Sequence, residues 1–160
     1  PLMQAYGTPI AAGVSPGYGN KTYHGIPIFN LVEQAVLAMG EIDTSVIFVP
    51  PYAALDAALE AIAAGIRQIV LVVEGIPPLD MVKLLRKAEA TETLIIGPDS
   101  PGLIIPGQLL LGIQPSEFYT PGPVGIISRS GTLTYEIAYE LTQAGLGQSI
   151  GVCIGEDTLV

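Results

Sequence analysis

The run Ile69-Val70-Leu71-Val72-Val73, followed by Glu74-Gly75-Ile76-Pro77, decides the fold. All five residues are apolar and four are β-branched, with no polar position between them. A strand wetted on one face alternates apolar and polar residues, whereas a strand covered on both faces reads as a continuous apolar run, as in a parallel sheet between helix layers. On its C-terminal side the pattern predicts a helix over Pro78 to Ala90 and a strand at Leu94-Ile95-Ile96. On its N-terminal side it predicts a strand over Ser45 to Val49, ended by Pro50-Pro51, and an alanine-rich helix from Ala53 to Ala64, stopped by Gly65. Further out, Ile10 to Val14 reads as a short strand closed by the turn Ser15-Pro16-Gly17, and Pro27 to Phe29 as another extended piece. Asn30 then caps a helix that runs to Met39-Gly40, with Glu33 in the capping-box position. Beyond Ile96, a Pro- and Gly-rich stretch from Gly97 to Pro123 holds a small hairpin around Leu109 to Ile113. Val124 to Ile127, a helix from Gly131 to Ala144, and Ile150 to Ile154 close the pass. Such alternation implies right-handed strand–helix–strand units and an α/β domain with a mostly parallel sheet.

Composition narrows the classes of function. The 160 residues suffice for one domain with a sizeable core. Although 49% of them are apolar, no unbroken apolar run approaches the roughly 18 residues of a membrane span. The net charge of −9 argues against nucleic acid or an anionic membrane surface as a partner. A single cysteine, Cys153, excludes an internal disulfide framework and suits a reducing compartment. Pro1 to Tyr6 carries neither the basic start nor the long apolar core of a signal peptide. The expected compartment is the cytoplasm, or the mitochondrial matrix in a eukaryote.

In open parallel sheets, ligands bind in the crevice beyond the carboxyl ends of the strands. The unusual turns of this chain follow its strands. Ser128-Arg129-Ser130-Gly131-Thr132 leaves a strand and opens a helix, so free amides, a positive helix end and hydroxyls together would suit an anion. Helix capping by Ser128 or Ser130 explains the same residues equally well. Glu74 reads either as a solvated loop carboxylate or as an acceptor for a ligand hydroxyl or amine. The turn Gly17-Tyr18-Gly19-Asn20 with Lys21 reads as a flexible connection or as a phosphate cradle. His24, the one histidine, has no acid or nucleophile beside it, and no His/Cys cluster at ligand spacing predicts a metal.

The segment Ser128-Arg129-Ser130-Gly131-Thr132-Leu133-Thr134-Tyr135-Glu136 resembles a signature of the succinate–CoA ligase alpha subunit. Gly13-Val14-Ser15-Pro16-Gly17, Gly25-Ile26-Pro27-Ile28-Phe29-Asn30, Glu74-Gly75-Ile76-Pro77, Ile96-Gly97-Pro98 and Gly112-Ile113-Gln114-Pro115 resemble the family in the same order and at similar spacing. The resemblance implies a Rossmann-like coenzyme A-binding domain over residues 1–160. Its first strand and glycine-rich loop are expected to precede Pro1, and a further ligase domain with the phosphorylated histidine to follow Val160. It implies interconversion of succinate, CoA and ATP or GTP with succinyl-CoA, nucleoside diphosphate and phosphate. The nucleotide and Mg would sit on a beta subunit, the expected partner.

By the same resemblance, CoA contacts fall on Ser15, Pro16, Lys21, Val72, Val73 and Glu74. The phosphoryl group would be faced by Ser128, Ser130 and Gly131, and the substrate by Tyr135. No catalytic residue is expected within the chain, and the chain alone is expected to be inactive. Several positions depart from the family pattern. Tyr18 stands for a lysine, which leaves Lys21 as the nearby cation. Asp99-Ser100 stands for Asn-Cys, and Glu156 for glycine. These departures keep alternatives open: a diverged, non-catalytic CoA-binding protein or regulator, or an ATP–citrate lyase-like relative. A dinucleotide-binding redox domain shares the fold but lacks its glycine fingerprint here.

Overall fold

The computed structural model describes residues 1–159. In chain order they form α1 (Leu2–Ala5), β1 (Gly13–Val14), β2 (Lys21–Tyr23), β3 (Ile26–Phe29), α2 (Val32–Met39), β4 (Thr44–Ile47), α3 (Ala54–Ala63) and β5 (Gln68–Leu71). There follow α4 (Pro78–Ala90), β6 (Leu94–Ile96), β7 (Gly102–Ile105), β8 (Leu109–Gly112), β9 (Pro121–Ser128), α5 (Gly131–Gln143) and β10 (Gln148–Cys153). No helix among the described residues is long and apolar enough to cross a membrane.

The α/β architecture read from the sequence is present. β5 lies at the centre of the parallel sheet β4-β5-β6, with Val46, Val70 and Ile96 in one row across it. Its Ile69, Val70 and Leu71 are at most 1% exposed, the burial on both faces that the continuous apolar run predicts. Ala54, Ala58 and Ala61 recur on one face of α3 and are fully buried, so the helix backbone packs close against the core. Met81 and Leu84 of α4 complete that core.

Parallel pairing is divided among three sheets rather than gathered into one. The second sheet has the order β8-β7-β10-β9; β9 and β10 are parallel and joined through α5, while β7 runs antiparallel to both β10 and β8. Ile104, Leu110, Tyr119, Ile126 and Ala138 form its core. The third, β1-β3-β2, is small, because β1 is only two residues long and pairs with β3 alone. Its β2–β3 hairpin was not legible in the sequence: β2 is exposed at all three positions and carries no burial pattern.

The capping expectation at Asn30 is corrected. Leu31 occupies the N-cap position of α2 and makes no side-chain cap. The Val32 amide is met instead by Glu60 Oε1 of α3 at 2.8 Å, so a helix start is closed by tertiary contact where a local cap was expected.

Candidate functional site

The ends of four strands, β4, β5, β6 and β10, meet at one crevice. Val72 donates its N–H to the Ile47 carbonyl (3.3 Å), and the carbonyl of buried Val73 accepts the Asp99 N–H (2.8 Å). The Gly97 N–H donates to Ile154 (3.1 Å) and the Glu156 N–H to Asp99 (3.4 Å). Two glycines permit this approach. A Cβ on Gly97 would fall 2.3 Å from the Leu71 carbonyl oxygen, and one on Gly155 would fall 2.0 Å from that of Pro98. Both have positive φ, where a side chain is strained as well.

The crevice is acidic. Glu74 is exposed after β5, and Asp99 sits at φ 55. Burial raises the Asp99 carboxyl above its ordinary range, and the negative charges of Glu74, Glu156 and Asp157 raise it further. Among the described residues, these carboxylates do not close into a metal-holding group.

The start of α5 lies against the same crevice. The Ser128 carbonyl accepts the Ile154 N–H at 2.8 Å, which sets the turn beside β10. Ser130 is the N-cap residue, with extended backbone, but its side chain makes no cap bond. Instead its carbonyl accepts both the Thr134 amide and the Thr134 hydroxyl, and its amide donates to Ser128 Oγ at 3.1 Å. The Gly131 amide donates to Glu156 Oε1 at 3.3 Å. The Thr132 and Leu133 amides have no acceptor among the described residues. Arg129 reaches across to the carbonyls of Gly155 and Asp157 and holds the segment that carries Glu156. Tyr135 lies one turn further on; its hydroxyl is 3.9 Å from where a Cβ on Gly131 would sit. It lines an open groove of about 550 Å³ with Phe118, Thr132, Glu136 and Tyr139, and burial, then Cys153, pushes its phenol up.

The glycine turn is organised differently from a phosphate cradle. Its Gly17 and Gly19 amides both donate to Asn30 Oδ1, at 2.9 and 3.0 Å, and so point inward. The cation beside this turn is Lys21, whose Nζ lies 4.7 Å from the centre of the Tyr18 ring. Tyr18 thus lies under the neighbouring charge.

The structure thus joins Val72, Val73 and Glu74 to Ser128, Ser130 and Gly131 by way of Asp99 and Glu156, with Tyr135 beside them. Lys21 lies in β2 of the small β1-β3-β2 sheet and Ser15 and Pro16 in the turn after β1, and no hydrogen bond among the described residues links them to the crevice. His24 stands apart from the crevice, its ring against Tyr23 and its carbonyl bonded to Gln4. Sequence reasoning missed Asn30 as the holder of the turn and Arg129 as the holder of residues 155–157. In both, a side chain meets backbone groups, and those leave no residue-type signal.

Residues 2–75 match the CoA binding domain family. The chain is 47% identical over 157 residues to the succinate–CoA ligase [ADP-forming] subunit alpha 1 of Archaeoglobus fulgidus, covering 98% of this chain and 54% of that one. It is 45% identical over 161 residues to the malate–CoA ligase subunit alpha of Methylorubrum extorquens, with the same coverage. Among solved structures, ATP citrate lyase from Methanothrix soehngenii in complex with citrate and coenzyme A superposes with a TM-score of 0.80 at 25% identity, over 92% of this chain and 27% of that one. The chain spans about half the length of the curated relatives it matches. Fold and crevice define a Rossmann-type domain of the CoA-binding class. Within that class, the chain is similar over almost its whole length to succinate–CoA ligase alpha subunits.

Proposed function

We propose that this chain is the CoA-binding part of the alpha subunit of an acid–thiol ligase. In that ligase a beta subunit supplies the nucleotide site with its Mg, and a C4 dicarboxylate, with succinate first, is joined to CoA as ATP or GTP gives the diphosphate and phosphate. The observation that carries it is the meeting of Val72–Glu74, the start of α5 and Tyr135 at one crevice, in a chain that aligns over almost its own whole length with about half of such a subunit. The residues present fit CoA. Lys21 offers an exposed ammonium held on Tyr18, suited to a phosphate, and the Ser15 hydroxyl lies in the same turn. Glu74 offers an acceptor and Val72–Val73 an apolar wall. At the start of α5, the Thr132 and Leu133 amides and the positive helix end would hold a phosphoryl group without a net basic protein. The malate–CoA ligase relative keeps hydroxylated dicarboxylates within the substrate class.

A second reading is favoured by one observation. Glu156 already occupies the Gly131 amide, and Asp99 adds a second carboxylate nearby. A non-catalytic CoA-binding protein or regulator would carry such a site without loss.

The test is calorimetry of CoA and NAD on this chain, followed by assay of the full alpha–beta assembly with succinate and with malate. CoA binding that weakens in Lys21→Ala, most visibly at low salt, is the expected result. Equal affinity for NAD would overturn the coenzyme reading. CoA binding without turnover in the assembly would select the non-catalytic one.

A further inference from the structure

Asn30 stands directly before α2 but is not needed to close that helix, because Glu60 takes the Val32 amide. Its carboxamide oxygen instead accepts two amides from a turn more than ten residues earlier, Gly17 at 2.9 Å and Gly19 at 3.0 Å. The Asn30 amide is in turn braced by Gln34 Oε1 at 3.2 Å. One carboxamide oxygen has two lone pairs, so both glycine amides are satisfied by a single atom.

Contact as well as hydrogen bonding ties the turn to Asn30. A Cβ on Gly19 would lie 2.4 Å from Asn30 Nδ2 and 2.6 Å from Cγ, so a side chain there would have to push the Asn30 carboxamide aside. The Ser15 amide donates to Phe29 (2.9 Å) and the Asn20 amide to Ile28 (3.0 Å). The turn therefore hangs at both ends and in its middle on residues 28–30.

Tyr18 is the residue between the two clamped glycines, and the Lys21 ammonium rests on its ring. We infer that Asn30 is a positioning residue for coenzyme recognition. Through the Gly17 and Gly19 amides it fixes Tyr18, and through Tyr18 it holds the Lys21 ammonium where a CoA phosphate meets it. The inference rests on the CoA reading given above. A free lysine is ordered only when the ligand arrives, and that ordering opposes binding. A lysine already resting on a ring held from below loses less freedom, so the clamp acts on affinity without touching the ligand.

The experiment compares CoA with pantetheine, which lacks the phosphates, by calorimetry at low salt on the chain, on Asn30→Ala and on Gly19→Ala. The second variant presses a methyl group against the Asn30 carboxamide and perturbs the same contact from the other side. Thermal unfolding of each variant shows that α2 and the core remain. Loss of two hydrogen bonds to one oxygen is expected to weaken CoA roughly tenfold in both variants while pantetheine changes less than about twofold. In a chain already carrying Lys21→Ala, Asn30→Ala is expected to have little further effect, as for two residues acting through one contact. An equal fall for both ligands, or no fall for either, would overturn the inference and leave Asn30 a structural clamp. Failure of the unsubstituted chain to bind CoA would overturn the coenzyme reading, and the inference with it, and is a separate result.

Discussion

The Glu156 carboxylate accepts the Gly131 amide at 3.3 Å, so the first turn of α5 is met by an anion that the chain itself carries. A negative charge at a helix start is worth about 0.3–1 kcal/mol at the surface. An external phosphate must displace it or share the turn with it. Glu156→Gln removes the charge and keeps the shape. It is expected to raise phosphate affinity roughly twofold to fivefold, measured by calorimetry, and to lower stability slightly. Unchanged phosphate affinity would show that Glu156 and phosphate do not compete for this turn.

Asp99 makes stability depend on pH in an unusual direction. Its folded-state carboxyl is raised above the ordinary 3.8 by burial and by Glu74, Glu156 and Asp157. The folded state therefore prefers the protonated acid. That contribution is fully present below the ordinary value and is lost as pH rises through the raised one. Asp99→Asn keeps the shape, tolerates the positive φ and carries no charge. It is expected to melt higher than the parent at about pH 7, with the gap closing toward about pH 3. Equal melting temperatures across that range would refute the electrostatic account.

Ser100 is 2% exposed and bridges two elements. Its hydroxyl donates to the Cys153 carbonyl of β10 and accepts the Gly102 amide of β7 at 2.9 Å. Ser100→Ala leaves both groups buried without that partner and is expected to destabilise by about 1–3 kcal/mol. Chemical denaturation would read this as a lower midpoint at unchanged slope.

Gly131 separates fold from ligand. A Cβ there would meet Pro101 at 3.7 Å, ordinary contact, and its φ lies outside the left-handed region. Gly131→Ala is expected to change stability by less than about 0.5 kcal/mol. If a phosphoryl group approaches this turn, the same methyl group weakens phosphate binding and turnover of the full assembly. A variant that melts normally and binds phosphate normally would remove Gly131 from the site.

Much of this arrangement was legible in the residues. β5, α4 and β6 were readable because continuous burial and a proline-started helix leave strong patterns. The α5 turn was readable because small hydroxyl residues and glycine mark a strand-to-helix junction. The crevice was legible as a set of strand ends, but not as a connected site, since its links are backbone bonds such as Val73 to Asp99. The cap at α2 was misread because Asn30 suits a helix start and a turn clamp equally well. Only the distant Glu60 decides between them. The division into three sheets was not legible either, because pairing depends on neighbours far along the chain.

The first residues of the chain also bear on how it is made. Thr8 donates its hydroxyl to the Leu110 carbonyl at 2.8 Å and accepts the Leu110 amide at 3.0 Å, and Tyr6 accepts the Gly107 amide. Their partners lie about a hundred residues downstream. During synthesis, α1 and the segment after it wait until β7 and β8 have left the ribosome, while the β4–β6 unit can already assemble from contacts close in sequence. Tyr6 and Thr8 thus dock only once residues 107–110 have been made, after the β4–β6 unit. Until β8 arrives, Met3 and Tyr6, which later pack against the second core, lack the partners that cover them, and the two halves of the fold become interdependent only then.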